Sequence, residues 1–409
     1  MNGVGTPFYS WEWHAHACNC FTKHAGRTYD DAMNDALDRH PLFTKWEDPD
    51  SGVINYILSE RLAPIQRGNY FATPSISGDG KWLWFKAIFP PSTYSLMGVV
   101  SLDPDDPQIR TFPHAAAASN PLVNGEDDTV YVPMNRSIHR LDPEGNMKLV
   151  FEMPSEIIEG RHLFRLVTDL TVSCDGKHLL LDSWIGDRTL ISVVELATGE
   201  LTPIKWLDRD LHHSQFSPHD PTLFMLGESP WMHPITGIKT PIDRRIWIMD
   251  TSGDLCEALF DDLHFGKNCW TCHEWWTPEG HVQWCDYETG IFEADIETRE
   301  RKLVWEHPMI HGQTDPTGRF ICGDHDPYKW SEHRPCGVYL YDRETGKDIA
   351  LASAMPLPEQ RKPDARRRPY HLDPHPHFSP DSRYVVYTGT VLGPTDVILA
   401  SVPSAVARM

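Results

Sequence analysis

A turn motif occurs seven times along the chain of 409 residues, and it constrains the fold more than any other feature of the sequence. Each copy joins a tight turn of the Ser-Pro-Asp-Gly type to an apolar run that favours a β-strand. The copies are SISGDGKWLWF (75–85), LVNGEDDTVYV (122–132), TVSCDGKHLLL (171–181), QFSPHDPTLFM (215–225), WWTPEGHVQWC (275–285), QTDPTGRFICG (313–323) and HFSPDSRYVVY (377–387). A repeat with a period of roughly 40–60 residues predicts one structural unit used seven times.

Each unit contains more than one hairpin. Further strand patterns follow most copies, for example SLMGVVSLD (95–103) and CGVYLYDRETGKDIAL (336–351). Four strands per unit and hardly any helical periodicity predict a seven-bladed β-propeller, whose closed ring leaves no exposed sheet edge. A pair of stacked β-sandwiches is the alternative, but it does not account for seven turns at a nearly regular period.

The first 65 residues lie outside the repeat. TYDDAMNDALDRH (28–40) is the one convincing helical pattern in the chain. We therefore predict an all-β fold, a seven-bladed β-propeller with a short helical N-terminal segment. The predicted division is an N-terminal extension at 1–65, which supplies a closing strand, a helix and a lid, and the propeller at 66–409.

The composition of the chain limits the classes of partner that the protein can bind. A net charge of −21 argues against nucleic acid, because that binding needs a basic face. No apolar run reaches 18 residues, so no membrane partner is expected. The first twenty residues lack the pattern of a signal peptide, and nine irregularly spaced cysteines are typical of reduced thiols, so we expect a cytoplasmic protein. The sequence does not decide whether the protein forms a homo-oligomer.

The 22 histidines are not spread at random over the repeat. Five residues before the aligned Pro position of the turn, the last four copies and the third copy hold His213, His273, His311, His375 and Asp169. Because the first strand of each propeller blade lines the central channel, these side chains should converge there. His377 lies two residues after His375 and should share its strand face.

Several imidazoles and a carboxylate around one axis form a candidate ligand ring. Neutral imidazoles favour a first-row ion such as Mn, Fe, Ni or Zn over Mg. The alternative is that each histidine caps a neighbouring backbone group.

Several segments resemble the oligogalacturonate lyases. NYFATPSISGDGKWLWF (69–85), QFSPHDPTLFMLGESPW (215–231) and RRIWIMD (244–250) are similar to the family's first and middle blades. CHEWWTPEG (272–280) and HPHFSPD (375–381) resemble the two segments that carry the family's metal-binding histidines. The resemblance implies a seven-bladed propeller that binds a divalent metal and cleaves uronides by β-elimination, with His273, His375 and His377 as metal ligands.

The chain departs from the family pattern at two positions. Leu372 stands where the family has a ligating Gln, and a Leu side chain cannot bind a metal. Gly227 stands where the family has the His that is thought to remove the proton. His311 is then our candidate for the vacated ligand position.

β-Elimination from a uronate needs a group that neutralises the carboxylate, a base for the C5 proton and a proton donor for the departing O4 oxygen. We predict His213 as the base, because it shares the ligand register without an assigned ligand role, while His212 should point away. Arg245 matches a family arginine and would bind the carboxylate bidentately. Asp169 would orient His213 or complete the metal shell, unless it only bonds to backbone amides.

The sequence thus predicts a metal-dependent lyase that cleaves a small acidic oligosaccharide to a 4,5-unsaturated uronide. Mn²⁺ is the preferred cofactor, and other first-row ions or Ca²⁺ are the alternatives. The alternative functions are a non-catalytic propeller that binds acidic sugars or a protein, and a metal-dependent hydrolase such as a lactonase.

The role of two further stretches is not decided by the sequence. RKPDARRRPY (361–370) would be an anion funnel at the channel mouth or simply a solvated loop. HAHACNC (14–20) alternates metal-binding residue types but lacks a second pair at zinc spacing.

Overall fold

The computed structural model of this protein describes residues 35–233, 236–242, 244–261, 271–325, 336–356 and 372–409. Within these ranges the chain forms seven antiparallel sheets of four or five strands and one separate two-stranded hairpin. The seven sheets are the blades of a propeller, so the predicted all-β, seven-bladed fold is confirmed and the pair of stacked sandwiches is excluded.

The described chain starts with a 3-10 turn, Ala36–Arg39, inside the segment where the sequence predicted a helix over 28–40. Residues 28–34 of that prediction lie outside the described residues. A hairpin of β1 (Phe43–Glu47) and β2 (Ile54–Leu58) follows.

The first three blades are formed in chain order. The first contains β3 (Ile65–Arg67), β4 (Trp82–Ile88), β5 (Ser95–Ser101) and β6 (Ile109–Ala117). The second contains β7 (Leu122–Val123), β8 (Val130–Met134), β9 (Ser137–Leu141) and β10 (Met147–Glu152). A short helix α1 (Ser155–Ile158) leads to the third, which contains β11 (Leu163–Arg165), β12 (Thr171–Val172), β13 (His178–Ile185), β14 (Arg188–Glu195) and β15 (Leu201–Leu207).

The next three blades follow the same plan. The fourth contains β16 (Asp210–Phe216), β17 (Leu223–Ser229), β20 (Ile246–Asp250) and β21 (Cys256–Ala258), with the separate hairpin β18 (Trp231–Met232) and β19 (Lys239–Thr240) between β17 and β20. The fifth contains β22 (Thr271–Trp276), β23 (Val282–Asp286), β24 (Gly290–Ala294) and β25 (Arg301–Trp305). The sixth contains β26 (His311–Thr314), β27 (Phe320–His325), β28 (Cys336–Asp342) and β29 (Lys347–Met355).

The seventh blade closes the ring. It contains β30 (His377–Phe378), β31 (Tyr384–Gly389) and β32 (Asp396–Ser401), and a short helix α2 (Val402–Val406) follows it. Strand β2 pairs antiparallel with β32, so the sheet order is β1-β2-β32-β31-β30. Asn55 locks this joint, since its side chain donates to the Leu351 carbonyl oxygen at 2.9 Å and accepts from the Tyr387 hydroxyl at 2.9 Å. The domain division at residue 65 stays a prediction.

The hydrophobic core lies between neighbouring blades. Trp84 of the first blade packs with Val130 and Val132 of the second, and Phe320 of the sixth packs with Tyr387 of the seventh. Because both faces of a blade are covered, a strand such as β32 is buried along its whole length. Apolar side chains thus hold the blades together, while the inner strands present polar side chains to the axis. No helix within the described ranges is long and apolar enough to cross a membrane.

Candidate active site

The histidines that share one sequence register form an arc inside the ring. The imidazole centroids of His213 and His273 are 6.0 Å apart, those of His273 and His311 are 4.1 Å apart, and those of His311 and His375 are 4.3 Å apart. All four side chains are buried. Four consecutive blades therefore bring their imidazoles together, as the register argument requires.

The backbone of this arc is unusual. His213, His273 and His375 have φ angles of 51°, 53° and 49°, in the left-handed region that few non-glycine residues adopt. The strand register also shifts between His212 and Gln215, which marks a bulge at this position in the fourth blade. A left-handed residue costs on the order of 1–3 kcal/mol, so the surrounding contacts must hold it in place. Such bulges redirect a side chain, here towards the channel.

Tyr70 lies at the centre of the arc. Its ring centroid is 4.8 Å from that of His375, 5.5 Å from His213, 5.9 Å from His311 and 6.3 Å from His273. Its hydroxyl oxygen is 3.4 Å from His213 Nε2. Burial raises the pKa of the Tyr70 hydroxyl well above its usual value, and the Asp169 carboxylate adds to this shift. The phenol is therefore protonated and can donate a hydrogen bond.

Glu274 holds the other side of the His213 ring. Its carboxylate oxygen Oε1 is 3.5 Å from His213 Nδ1. Burial alone would raise the pKa of Glu274, but the Arg245 guanidinium and His213 lower it to about 2. The ionised carboxylate can only accept a hydrogen bond from Nδ1, whereas the Arg245 guanidinium, whose Nη2 lies 3.4 Å from the same Nδ1, can only donate. The other ring nitrogen, Nε2, faces the Tyr70 hydroxyl.

Arg245 is fully engaged within the protein. Its Nε donates to Glu274 Oε2 at 3.1 Å, its Nη2 donates to Oε1 at 3.2 Å, and its Nη1 donates to the Glu228 carbonyl oxygen at 2.7 Å. The predicted bidentate contact with a substrate carboxylate would require the pair with Glu274 to separate. His212 does not point away from the arc either: its ring stacks on His213 at 4.2 Å, and its Nε2 accepts from Ser229 Oγ at 2.6 Å.

The ion pair of Glu274 and Arg245 fills the space beside Gly227. A Cβ atom built on Gly227 would lie 2.0 Å from Glu274 Oε1 and 2.9 Å from Arg245 Nη2. The absence of a side chain at Gly227 is therefore what leaves room for the buried ion pair. Sequence reasoning missed Glu274, because nothing in the pattern shows that a glycine on one blade leaves room for a carboxylate from the next.

Replacement of Gly227 by alanine should displace this ion pair. We expect a loss of about 1–3 kcal/mol in the free energy of unfolding from overpacking, and reduced turnover because Glu274 no longer holds His213. Gly125→Ala is the matched control, since a Cβ there meets no atom within 4 Å. Urea unfolding of both variants checks the prediction, and equal stability of the two would contradict it.

Three buried side chains form a group with the geometry of a metal site. One ligand atom each from His311, Asp373 and His375 lies within 4.8 Å of the other two. Two imidazoles and one carboxylate suit a first-row divalent ion, so the donor set fits the metal that the resemblance implies. Asp373 was not predicted, although it precedes His375 by two residues and the alternation rule could have drawn attention to it.

Asp324 orients the two histidines of this group. Its carboxylate accepts from the His311 backbone N–H at 2.8 Å, from His311 Nδ1 at 2.9 Å and from the His375 backbone N–H at 3.2 Å. A carboxylate on one imidazole nitrogen fixes the ring and leaves the other nitrogen for a ligand role.

The other two predicted ligands lie differently. His273 Nδ1 donates to the Ile310 carbonyl oxygen at 2.5 Å, and His273 is not part of the three-residue group. His377 donates from Nδ1 to the His375 carbonyl oxygen at 2.9 Å and accepts at Nε2 from Ser75 Oγ at 2.9 Å. Both of its ring nitrogens are therefore engaged. The same-face argument assumed extended backbone, whereas His375 has a left-handed conformation.

A second set of aligned residues, on the second strands of the blades, holds the inner segments in place. Eight residues after the aligned turn position, the second strands of four blades carry Lys86, Asp182, Asp324 and Thr388. Each bonds to the beginning of the next blade's inner segment: for example, Asp182 accepts from Ser214 N–H at 3.3 Å, and Thr388 Oγ1 accepts from Gly68 N–H at 3.1 Å. Side chains of the second strands thus fix the inner segments from behind.

Within the described residues, Asp169 bonds to a side chain rather than to backbone amides. Its Oδ1 accepts from Asn120 Nδ2 at 2.6 Å, and Asn120 occupies the same register in the second blade. Burial raises the pKa of Asp169, and His213, Asn120 and Lys86 oppose that shift. The contact that orients His213 comes from Glu274. The stretches at 14–20 and 361–370 lie outside the described residues.

Comparison with known proteins places this arrangement in context. No protein-family model matches the chain. An oligogalacturonide lyase from Pectobacterium atrosepticum is 26% identical over 381 residues, which cover 85% of this chain and 93% of that protein. The chain is a divergent relative of the oligogalacturonate lyases. An oligogalacturonate lyase from Dickeya dadantii is also 26% identical, over 229 residues that cover 52% of this chain and 55% of the relative.

Solved structures of oligogalacturonate lyases share the fold. A complex with manganese superposes with a TM-score of 0.69 at 19% identity, and the match covers 88% of this chain and 96% of the other. A crystal structure of the lyase from Vibrio parahaemolyticus gives a TM-score of 0.69 at 18% identity with the same coverage. The family resemblance drawn from the sequence motifs is thus confirmed.

Proposed function

We propose that the protein is a metal-dependent lyase that cleaves oligogalacturonides or closely related uronic-acid oligosaccharides by β-elimination. The observation that carries this proposal is the environment of His213. Its Nδ1 faces the ionised carboxylate of Glu274, and its Nε2 faces the neutral hydroxyl of Tyr70. The names of the relatives support the reaction class.

His213 acts as the base in this proposal. Its Nε2 accepts the proton from C5 of the uronate, the C5–H electrons form the C4–C5 double bond, and the C4–O4 bond breaks. Glu274 stabilises the positive charge that develops on the imidazole, as a carboxylate does for a general base.

Tyr70 acts as the proton donor to the departing O4 oxygen. Its hydroxyl is protonated in the resting protein and lies 3.4 Å from His213 Nε2. After bond cleavage the imidazolium returns its proton to the phenolate, so base and acid recover their starting states without water. The balance is one proton removed from C5 and one proton delivered to O4.

His311, Asp373 and His375 are the residues that would hold the metal ion. A bound divalent ion, with Mn²⁺ as the first candidate, supplies electrostatic stabilisation of the uronate carboxylate as C5 loses its proton. Asp324 holds the imidazole of His311 and the backbone of His375 in position through hydrogen bonds. We keep the cytoplasm as the proposed location on the sequence arguments.

Incubation with saturated digalacturonate and trigalacturonate tests the reaction. Absorbance in the far ultraviolet from a 4,5-unsaturated product supports elimination. Shorter products without that absorbance would show hydrolysis, and binding without products would show a sugar-binding propeller. Either of the last two results contradicts the lyase proposal.

Replacement of Asp373 by alanine should empty the metal site. We expect metal affinity to fall at least about 10- to 100-fold, because changes even outside the ligand shell have effects of that size. His377→Asn should keep its metal, since both ring nitrogens of His377 already bond within the protein. Elemental analysis of both folded variants checks this, and a metal-free His377→Asn with a loaded Asp373→Ala would reverse the ligand assignment.

A further inference from the structure

Two cysteines face each other across the first two strands of the fifth blade. Cys272 on β22 is the direct cross-strand partner of Cys285 on β23. Residues directly opposite each other in an antiparallel pair carry their side chains on the same face of the sheet. Burial raises the pKa of the Cys285 thiol well above its usual value, and the charges of Asp324 and Cys272 add to this shift. The two thiols are therefore close neighbours.

This arrangement occurs once among the cysteines that the structure describes. The others lie opposite a different residue type or outside the strands: Cys256 faces Met249, Cys322 faces Leu340, Cys336 faces Met355, and Cys174 lies in a turn. Cys18, Cys20 and Cys269 are outside the described residues. Direct opposition thus distinguishes Cys272 and Cys285 from the rest of the described thiols.

The geometry of an antiparallel pair suits a bond between these two residues. The Cα atoms of directly opposite residues are about 4.5 Å or about 5.5 Å apart, depending on the hydrogen-bond pattern, and a disulfide accepts about 4.4–6.8 Å. The Cβ atoms of such residues are about 4.5–5.5 Å apart, whereas a disulfide brings them to about 3.8 Å. A bond would therefore form in the folded protein and draw the two strands together by about 1 Å at this point.

The two thiols differ in their access to a reagent. Cys272 is partly exposed, whereas Cys285 is buried among apolar side chains such as Trp275 and Ile291. A small oxidant such as hydrogen peroxide would therefore react at Cys272 first. Cys285 would then react only with the sulfur of Cys272, which lies beside it.

The chemistry balances with one molecule of hydrogen peroxide. The Cys272 sulfur attacks one oxygen of the peroxide, the O–O bond breaks, and a sulfenic acid and a water molecule form. The Cys285 sulfur then attacks the Cys272 sulfur, the S–O bond breaks, and the departing hydroxide takes the Cys285 proton. Two thiols have lost two electrons and two protons, and the peroxide has become two molecules of water.

The position of Cys272 connects such a bond to the candidate active site. His273 and Glu274 follow it directly, and the strand register shifts between Cys272 and Glu274, where His273 has a φ angle of 53°. Glu274 is the carboxylate that faces His213 Nδ1 at 3.5 Å. A displacement at Cys272 would therefore be passed to the residue that holds His213.

We propose that Cys272 and Cys285 form a reversible disulfide bond with hydrogen peroxide as the oxidant, and that this bond displaces the strand that carries His273 and Glu274. A bond that forms only under an oxidant agrees with the reduced thiols expected from the sequence, because disulfides of cytosolic proteins are usually transient. The bond itself is independent of the proposed function, whereas its effect on turnover rests on that function.

Mass spectrometry of peptides from the oxidised protein tests the bond. The full-length protein is treated with hydrogen peroxide, its remaining thiols are alkylated, and it is digested without reduction. We expect peptides joined through Cys272 and Cys285, which dithiothreitol separates again. An alkylated Cys272, its irreversible oxidation to the sulfinic acid, or a bond from Cys272 to any other cysteine overturns the proposal.

Three variants sharpen this test. Cys285→Ala should stop at the sulfenic acid of Cys272, which dimedone labels. Cys269→Ser should still form the bond, and its loss in this variant would assign the partner of Cys272 to Cys269. Cys256→Ser is the control, because Cys256 is partly exposed and lies opposite Met249. If Cys285→Ala does not fold, the peptides of the unmodified protein still decide the question.

Turnover of digalacturonate tests the displacement. A shift of about 1 Å in a group that positions the base should lower turnover by about 10- to 100-fold, and dithiothreitol should restore it. Full turnover by the bonded protein would refute the displacement. A joined peptide without an unsaturated product, before or after reduction, supports the disulfide and refutes the lyase. Elimination with Cys272 still alkylated after peroxide supports the lyase and refutes the disulfide.

Discussion

Replacement of His213 by glycine should lower kcat by about 10²- to 10⁴-fold, the usual contribution of a general base, while the metal content stays the same. Glycine is the informative choice because the φ angle of 51° at this position suits it without strain. The variant also leaves a space of the size of an imidazole ring between Glu274 and Tyr70. Added imidazole should therefore restore part of the turnover.

The rescue distinguishes a base from a structural residue. His219→Gly is the control, because His219 is exposed in the turn of the same blade and should not affect turnover. Full activity of His213→Gly without imidazole would remove His213 from the mechanism. A lost activity that imidazole does not restore, together with a lowered melting temperature, would show a structural role.

Replacement of Glu274 by alanine should cost about 3–5 kcal/mol in the free energy of unfolding, because it leaves the Arg245 guanidinium buried without its carboxylate. The double variant Glu274→Ala, Arg245→Met removes both charges and should recover a large part of that loss. Urea unfolding of the two variants measures both values. A double variant less stable than Glu274→Ala alone would contradict this account of the pair.

The same ion pair predicts how stability depends on pH. The pKa of Glu274 is lowered from 4.5 to about 2 in the folded protein. A group with a depressed folded-state pKa stabilises the fold fully above its unfolded pKa, and that contribution is lost as the pH falls towards the folded value. The unmodified protein should therefore lose stability between about pH 4.5 and pH 2 more steeply than the double variant, which lacks the carboxylate.

The sequence predicted the fold because seven four-stranded units at a nearly regular spacing are compatible with few folds other than a closed propeller. It also predicted the arc of His213, His273, His311 and His375, since a single register on successive blades of a ring must converge. Asn120 occupies the same register in the second unit and Lys86 a second register in the first unit, but neither side chain is a typical metal ligand, so neither was predicted.

The remaining features depend on tertiary contacts that no local pattern contains. The strand face of His377 was inferred from alternation, which assumes an extended backbone, whereas His375 has a left-handed one. Glu274 is adjacent to His273 in sequence, yet its role depends on Gly227 and Arg245 of the preceding blade. A side chain of one blade that fills space and pairs with a charge on the neighbouring blade can be recognised only in the folded structure.

The pairing of β2 with β32 couples assembly of the site to completion of the ring. The contact between Asn55 and Tyr387 joins residues 332 positions apart, and such distant contacts form late because closing so long a loop costs entropy. Before that joint forms, the blade that carries Asp373 and His375 is open, so a half-folded chain has the histidines without their arrangement. A metal ion or sugar that contacts the complete arc would bind only the closed ring. Its binding would therefore stabilise the closed propeller against opening.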